Sequence, residues 1–368
     1  MGSEKKDMFP QMIKFVMMIL LLLHGVVHIN GVNGDHPQVP CFFIFGDSLS
    51  DNGNNNQLQT MSKANYKPYG IDFPAGTPTG RFTNGQTSVD ILGQLLGFDD
   101  FIPPFANTTG YDILKGVNYA SGSGGILRES GKHLGECISL HKQLNNHKST
   151  ISKIKNRVDL AQNHLKMCLY YVSIGNNDYL QNYLIPKFYN TSLLYTPQQY
   201  AGLLIKQYEE QILRLINYGA RKVAMIGIRS LGCCPFVISS FGTNGSKCVE
   251  KVNQQVQLFN QNLKSLVHKL NTKFSDAKFI YVNTFQTQFG DLSSSGLSNL
   301  NESCCPTTNI GLCIPSSTPC ENRTSHMFWD NVHPTEALNQ ITANRSYISH
   351  LASDNYPIDI KQLAQLPL

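Results

Sequence analysis

Residues Phe42–Asn56 read FFIFGDSLSDNGNNN. Four apolar residues run straight into Gly46-Asp47-Ser48, and a polar run follows. A short, continuous apolar run of aromatic and β-branched residues predicts a strand covered on both faces. Such a strand delivers Ser48 to its carboxyl end. Gly46 permits a tight turn there, and if a helix begins next, its free N–H groups point at whatever Ser48 attacks. The same serine reads equally as a helix N-cap. Asp51 and Asn52 are expected to hold the loop by hydrogen bonds, with the polar run lining the mouth of a cleft.

Three further runs share this strand character: Cys168–Ile174, Val223–Ile228 and Phe279–Val282. Amphipathic helices alternate with them. One has Thr196 as N-cap, Pro197 in the first turn and Gln199 completing a capping box. Its apolar face is Tyr200, Leu204, Tyr208, Ile212 and Leu215, and Gly219 stops it. A second is predicted from Lys247 to Lys273, with Val252, Val256, Phe259, Leu263, Leu266 and Leu270 inward. This β-α-β-α order predicts an α/β fold with one parallel sheet and helices on both sides. In such sheets ligands bind beyond the carboxyl ends of the strands, which is where the first strand leaves Ser48. With no internal repeat and no low-complexity linker, 35–368 reads as a single domain.

A serine nucleophile needs a base, and the base needs an orienting acid. The segment FWDNVHPTEALN supplies both: Asp330 precedes His333 by three residues, and Pro334 biases His333 towards an extended backbone. The alternative is a surface histidine beside a helix cap, but none of the other histidines sits in an Asp-x-x-His-Pro setting. A developing oxyanion needs donors. NYASGSGGIL offers the N–H of Gly122, and YYVSIGNNDYL puts the Asn177 amide just beyond the second strand. Each segment alone also reads as a plain loop or a turn capped by Asp178. No Gly-x-Ser-x-Gly elbow surrounds Ser48, so the usual α/β-hydrolase pattern is absent. Tyr119, Tyr179, Phe328 and Trp329 flank these segments and are assigned to the core.

The amino terminus is of another kind. Lys5 and Lys6 precede the apolar run Phe15–Leu23, and small residues follow. This is the pattern of a secretory signal over 1–34, with cleavage after Gly31 or Gly34. The run is shorter than the roughly 20 apolar residues a membrane span requires, and no later stretch is long enough. Six Asn-x-Ser/Thr sites agree with export as glycosylation acceptors: Asn107, Asn190, Asn244, Asn301, Asn322 and Asn344. Seven of the 10 cysteines lie beyond residue 230, at spacings that fit no zinc finger, and are expected to form disulfides that clamp loops. Cys41 and Cys168 open strand-like runs and are expected to be simply buried. The net charge of +5 comes without a basic stripe, which argues against nucleic acid as a partner.

The segments together resemble the plant-type GDSL esterase/lipase family, a branch of the SGNH hydrolases. FGDSLSDNGNNN resembles the family's first block, which implies Ser48 as nucleophile. VNYASGSGGIL resembles the second and implies Gly122 as an oxyanion donor. Gly175 to Asp178 matches the third and implies Asn177 as another, beside the N–H of Ser48 itself. Asp330 to Pro334 matches the last and implies Asp330 as orienting acid and His333 as base. GRFTNGQTSVDIL and SLGCCP extend the likeness from about Pro40 to Leu351. The second block usually reads Gly-Gly-Ala-Gly-Ile; here it is Gly122-Ser123-Gly124-Gly125-Ile126, which leaves Gly122 and Gly124 both as sources of the N–H.

The resemblance implies a three-layer α/β/α, flavodoxin-like fold with a central parallel sheet. It implies a secreted enzyme of the apoplast or cell wall that hydrolyses small-molecule or lipid carboxylic esters with no metal or cofactor. The same residues would serve an acyltransferase, and a binding protein on this fold is the reading outside enzymes.

Overall fold

The computed structural model describes residues 36–157, 161–287 and 295–367. The expected signal over 1–34 lies outside them. Gln38–Leu368 form one compact unit. The quoted apolar run forms β1, Phe42–Gly46, buried at every position. β2 (Leu169–Ser173), β3 (Lys222–Ile226) and β4 (Lys278–Val282) follow in parallel beside it. The five-stranded sheet is closed by Asn355–Tyr356, an antiparallel edge strand too short for its sequence to announce.

Strand alternation divides the core. Phe43, Phe45, Tyr170, Val172, Val223, Met225, Phe279 and Tyr281 face one side. Phe42, Ile44, Leu169, Tyr171, Ala224, Ile226, Ile280 and Val282 face the other. The period of two is the signature of strands, and burial on both faces explains why each run is apolar throughout. The first face packs on the helices Leu140–Lys155, Pro197–Asn217 and Glu250–Lys273; the second packs on Ser88–Leu95, Glu336–Tyr347 and Ile360–Gln365. This is the expected three-layer α/β/α architecture. Helix Pro197–Asn217 has the expected capping box between Thr196 and Gln199. The helix expected from Lys247 begins at Glu250, because the Cys233–Cys248 bridge and the Val249 N–H on Gly232 O hold 248–249 to the loop after β3.

Two features escaped the sequence reading. Residues 115–121 run alongside the free edge of β1: Phe42 and Ile44 donate to Lys115 O and Val117 O, and Tyr119 N–H donates to Ile44 O. Gly116 makes this approach feasible, since a Cβ there would lie 2.0 Å from Phe42 O. The chain thus passes from β1 to one side and later returns to β2 on the other. Such a reversal of strand order is where α/β sheets open a crevice. The second feature is a small parallel sheet of Asn299–Ser303 with His326–Phe328. The Cys304–Cys320 and Cys305–Cys313 bridges lie against it.

One expectation is corrected. Cys41 and Cys168 are not merely buried; they form a disulfide, with Cα atoms 4.7 Å apart. They sit at the amino ends of neighbouring parallel strands, one residue before the Phe42–Leu169 pair, so the register itself brings them together. Cys137 and Cys234 are free and buried. Tyr119, Tyr179, Phe328 and Trp329 are all fully buried, as core residues should be. Among the described residues no helix is long and apolar enough to cross a membrane.

Because the Cys41–Cys168 bridge closes a long loop, Cys41→Ala with Cys168→Ala should lower unfolding stability by about 2–5 kcal/mol in a denaturant titration, with the native circular dichroism spectrum retained.

Candidate active site

The register fixes what meets at the carboxyl edge. Gly46 pairs with Ser173, so Ser48 and Asn177 emerge from adjacent strands a few residues beyond the same level. No helix follows Ser48. Residues 47–51 form a turn in which the N–H groups of Ser50 and Asp51 donate to Asp47 O, at 3.1 and 3.0 Å. Ser48 therefore caps nothing, and its hydroxyl is free to turn elsewhere.

It turns to His333. Ser48 Oγ lies 2.8 Å from His333 Nε2, across 285 residues of sequence. On the far side of the ring, Nδ1 lies 2.8 Å from Asp330 Oδ2. The carboxylate can only accept, so the neutral ring carries its proton on Nδ1 and leaves Nε2 to accept from Ser48. Asp330 also takes the N–H groups of Val332 and His333 on Oδ1, at 2.8 and 2.7 Å. The tight loop is pinned at its ends by Trp329 N–H on His333 O and by pairing of Phe328 with Pro334. The Phe82 ring lies against the imidazole, centroids 4.9 Å apart. Ser48, Asp330 and His333 are all buried.

Tyr69 completes the line, and sequence reasoning missed it. Its hydroxyl donates to Asp330 Oδ2 at 2.6 Å and accepts the Cys313 N–H at 3.0 Å. Burial, with the Asp330 carboxylate beside it, pushes the phenol well above its usual range, so it stays a donor. Nothing around Tyr69 in the sequence marks it, because its partners lie more than 240 residues away.

The polar run after Ser48 does not line a cleft mouth. Asp51, Asn52, Asn54 and Asn55 are buried. Asn54 Nδ2 donates to Asn118 O and Ala120 O, Asn55 Nδ2 to Ser62 O and Gly122 O, and Asn52 Nδ2 to Ile102 O. Asn118 Nδ2 returns a bond to Ser50 O, and Ser121 Oγ donates to Asn55 Oδ1. Asp51 accepts the N–H groups of Gly53 and Asn54 on one oxygen and that of Gly122 on the other, at 2.9 Å. Burial outweighs these bonds and raises the Asp51 carboxyl to about 6. The Gly122 N–H expected to face an oxyanion is thus already engaged. Gly124 N–H is engaged too, on Ser121 O. Among the described residues the N–H groups of Ser48 and Ser123 meet no acceptor. A Cβ on Gly122 would come within 2.8 Å of Asn55, Phe82 and Ser62, so glycine is required there. Ser123 stands at φ +62°, a left-handed conformation unusual for a residue with a Cβ.

Asn177 is buried beside this turn, with Nδ2 donating to Gly124 O at 3.1 Å and its second amide hydrogen still to place. Asp178 does not cap a helix. Its carboxylate accepts from the N–H groups of Ile126 and Leu127 and from Ser130 Oγ, which holds the Gly122–Ser130 loop against the end of β2. Burial dominates again and lifts its carboxyl to about 7. Asp47 accepts from Asn176 Nδ2 and Leu49 N–H, and burial raises it as well.

The cysteine–histidine groupings, Cys41 with His164 and Cys168, and Cys304 with Cys320 and His326, are disulfides beside a histidine. Thiols held in a bridge have no thiolate to give a metal. Of the six glycosylation motifs, Asn107, Asn190, Asn244, Asn301 and Asn322 are exposed, while Asn344 is half-buried within helix Glu336–Tyr347.

The model of the GDSL-like lipase/acylhydrolase family matches residues 42–346. A GDSL esterase/lipase of Arabidopsis thaliana is 48% identical over 339 residues, covering 90% of this chain and 93% of its own. A second from the same plant is 45% identical over 364 residues, covering 96% of this chain and 100% of its own.

The pH dependence of stability tests the buried Asp178. Its folded carboxyl titrates near 7 against 3.8 for the free side chain. Between those values the folded chain keeps a proton that the unfolded chain has lost, so this contribution to stability is full below about pH 4 and lost as pH rises through 7. Urea titrations across that range should show the stability gap between wild type and Asp178→Asn shifting in Asn's favour as pH rises.

Proposed function

The chain belongs to the GDSL-like lipase/acylhydrolase family, and from that premise we propose that it hydrolyses carboxylic esters through an acyl-enzyme on Ser48. The observation that carries the reading is the unbroken line Ser48 Oγ to His333 Nε2, His333 Nδ1 to Asp330, and Asp330 to Tyr69. His333 takes the Ser48 proton as the hydroxyl oxygen attacks the ester carbonyl. The imidazolium so formed is stabilised by Asp330 and returns its proton to the leaving alcohol. Water, activated by the same ring, then cleaves the acyl-enzyme.

The oxyanion is received by the Ser48 N–H and the Asn177 amide, with a third donor from the turn at Gly122 and Ser123. Gly122 serves only by giving up its bond to Asp51, whereas the Ser123 N–H is unengaged. Tyr69 is a positioning residue: it touches no reacting atom but fixes the carboxylate that orients the base. Four disulfides, five exposed glycosylation motifs and the amino-terminal leader pattern support export of a single 35–368 domain to the cell exterior. Its substrates are small-molecule or lipid esters.

The deciding experiment is intact-mass spectrometry of the exported protein treated with a fluorophosphonate, beside Ser48→Ala. One adduct on the wild type and none on the variant is the expected result; no adduct on folded wild-type protein would remove the esterase reading. With a short-chain ester, Ser48→Ala should lower turnover by about 10⁶-fold. Asn177→Ala should cost about 100- to 1000-fold. Tyr69→Phe should lower kcat about 10-fold while leaving KM in place, since the lost bond is one to a charged group remote from substrate.

A further inference from the structure

An apolar cluster that the proposed reaction does not use stands on the surface after β2. Among the described residues ten large apolar side chains are exposed, and four of them, Phe188, Leu193, Leu194 and Tyr195, lie within eight residues. Leu193 is 77% exposed and Leu194 63%. Single apolar side chains on a surface are ordinary, but a cluster calls for something that covers it. The two leucines belong to the short helix Thr191–Leu194, which is held so that it cannot turn them inward. At one end Thr191 Oγ1 donates to the buried Asn182 Oδ1 at 2.6 Å, and at the other the Tyr183 hydroxyl donates to Tyr195 O at 2.9 Å.

The same turn of helix opens on Asn190-Thr191-Ser192, one of the six glycosylation motifs. The N–H groups of Leu193 and Leu194 both donate to Asn190 O, at 3.0 and 3.1 Å, so Asn190 stands one turn before them. Residues three and four apart share a helix face, which puts a group attached to Asn190 beside both leucines. The Asn190 side chain is exposed and caps nothing, and among the described residues its amide makes no hydrogen bond. The Asn301 amide, in another motif, is spent on Lys247 O. A groove of about 490 Å³ runs alongside, lined by Tyr183, Pro186, Ser192, Pro197, Phe241 and Asn244. Asn244 opens a further motif, and Phe241 near it is exposed. Sugars on both banks would hold a lipid surface or a second copy of the chain away from this region, so the layout favours sugar as the cover.

We infer that Asn190 is a modified residue, carrying an N-linked glycan whose first sugars lie over Leu193 and Leu194. The inference rests on the export reading above and not on the esterase reading. The donor is an oligosaccharide on a polyprenyl diphosphate: the bond from Asn190 Nδ2 to C1 of the first sugar forms, the C1–O bond to the diphosphate breaks, and the amide gives up one proton, with no change of oxidation state. The N-acetyl methyl group and the C–H face of the sugar ring supply the apolar contact, and the hydroxyls face water.

Expression of the full chain in a eukaryotic secretory host, with glycopeptide mass spectrometry of the exported protein, tests the modification. The Asn190 peptide should carry a glycan built on N-acetylhexosamine. Asn190→Gln and Ser192→Ala each break the motif; each should lose that one glycan, bind more of a hydrophobic dye than wild type and self-associate in light scattering as concentration rises. Adding Leu193→Ser with Leu194→Ser to either variant should return both readouts to the wild-type level, which a general loss of folding would not allow. If Asn190→Gln does not fold, Ser192→Ala, which keeps the asparagine, carries the test. Exported protein bare at Asn190, or loss of the glycan with dye binding and association unchanged, would overturn the inference. Cosedimentation of the glycosylated wild type with phosphatidylcholine vesicles, abolished by Leu193→Ser with Leu194→Ser, would overturn it in favour of a lipid surface. Retention of the chain inside the cell with every motif bare would remove the export reading together with it.

Discussion

The hydrogen-bond network that ties the turn after Ser48 to residues 118–122 is the constraint on which the site depends. Residues 115–121 flank β1 but only in part as a strand, so their backbone groups need partners that a sheet would otherwise give. Asn54, Asn55 and Asn118 supply them from side chains, and Asp51 takes the Gly122 N–H. Buried polar groups are tolerated only when satisfied, so this network holds two loops in one geometry or none. Three asparagines and an aspartate, Asp51, Asn52, Asn54 and Asn55, look unsuited to a core. They are in the core because they act as backbone.

His333 arrives from the other end of the chain and is held by different means. The small sheet of Asn299–Ser303 with His326–Phe328, bridged at Cys304–Cys320 and Cys305–Cys313, leads directly into Trp329 and Asp330. Cys313 N–H bonds the Tyr69 hydroxyl, which bonds Asp330. Cys305 N–H bonds Trp329 O. The late cysteines thus brace the loop that carries Asp330 and His333.

Much of this was legible in the sequence, for identifiable reasons. The four parallel strands are apolar on both faces, so their runs stand out. Ser48, Asn177, Asp330 and His333 lie in short local patterns that topology then assembles. Tyr69 carries no local pattern; it is defined by a contact more than 100 residues away. The segment 115–121 was missed because its bonds with β1 depend on Gly116 and on side-chain partners rather than on strand propensity. The Cys41–Cys168 bridge follows from a parallel register that no single segment encodes.

Three buried carboxylates, Asp47, Asp51 and Asp178, crowd the carboxyl edge of the sheet. Their cost is reduced because each collects hydrogen-bond donors: Asp47 takes Leu49 and Asn176, Asp51 takes Gly53, Asn54 and Gly122, and Asp178 takes Ile126, Leu127 and Ser130. Every N–H so used is lost to an oxyanion. Among the described residues of these turns, the N–H of Ser48, the N–H of Ser123 and one hydrogen of the Asn177 amide remain unspent. Ser123 is also held at positive φ, an uncommon conformation for a residue with a Cβ. The scaffold takes up most of the amides at this edge, and the buried acids decide which of them remain free.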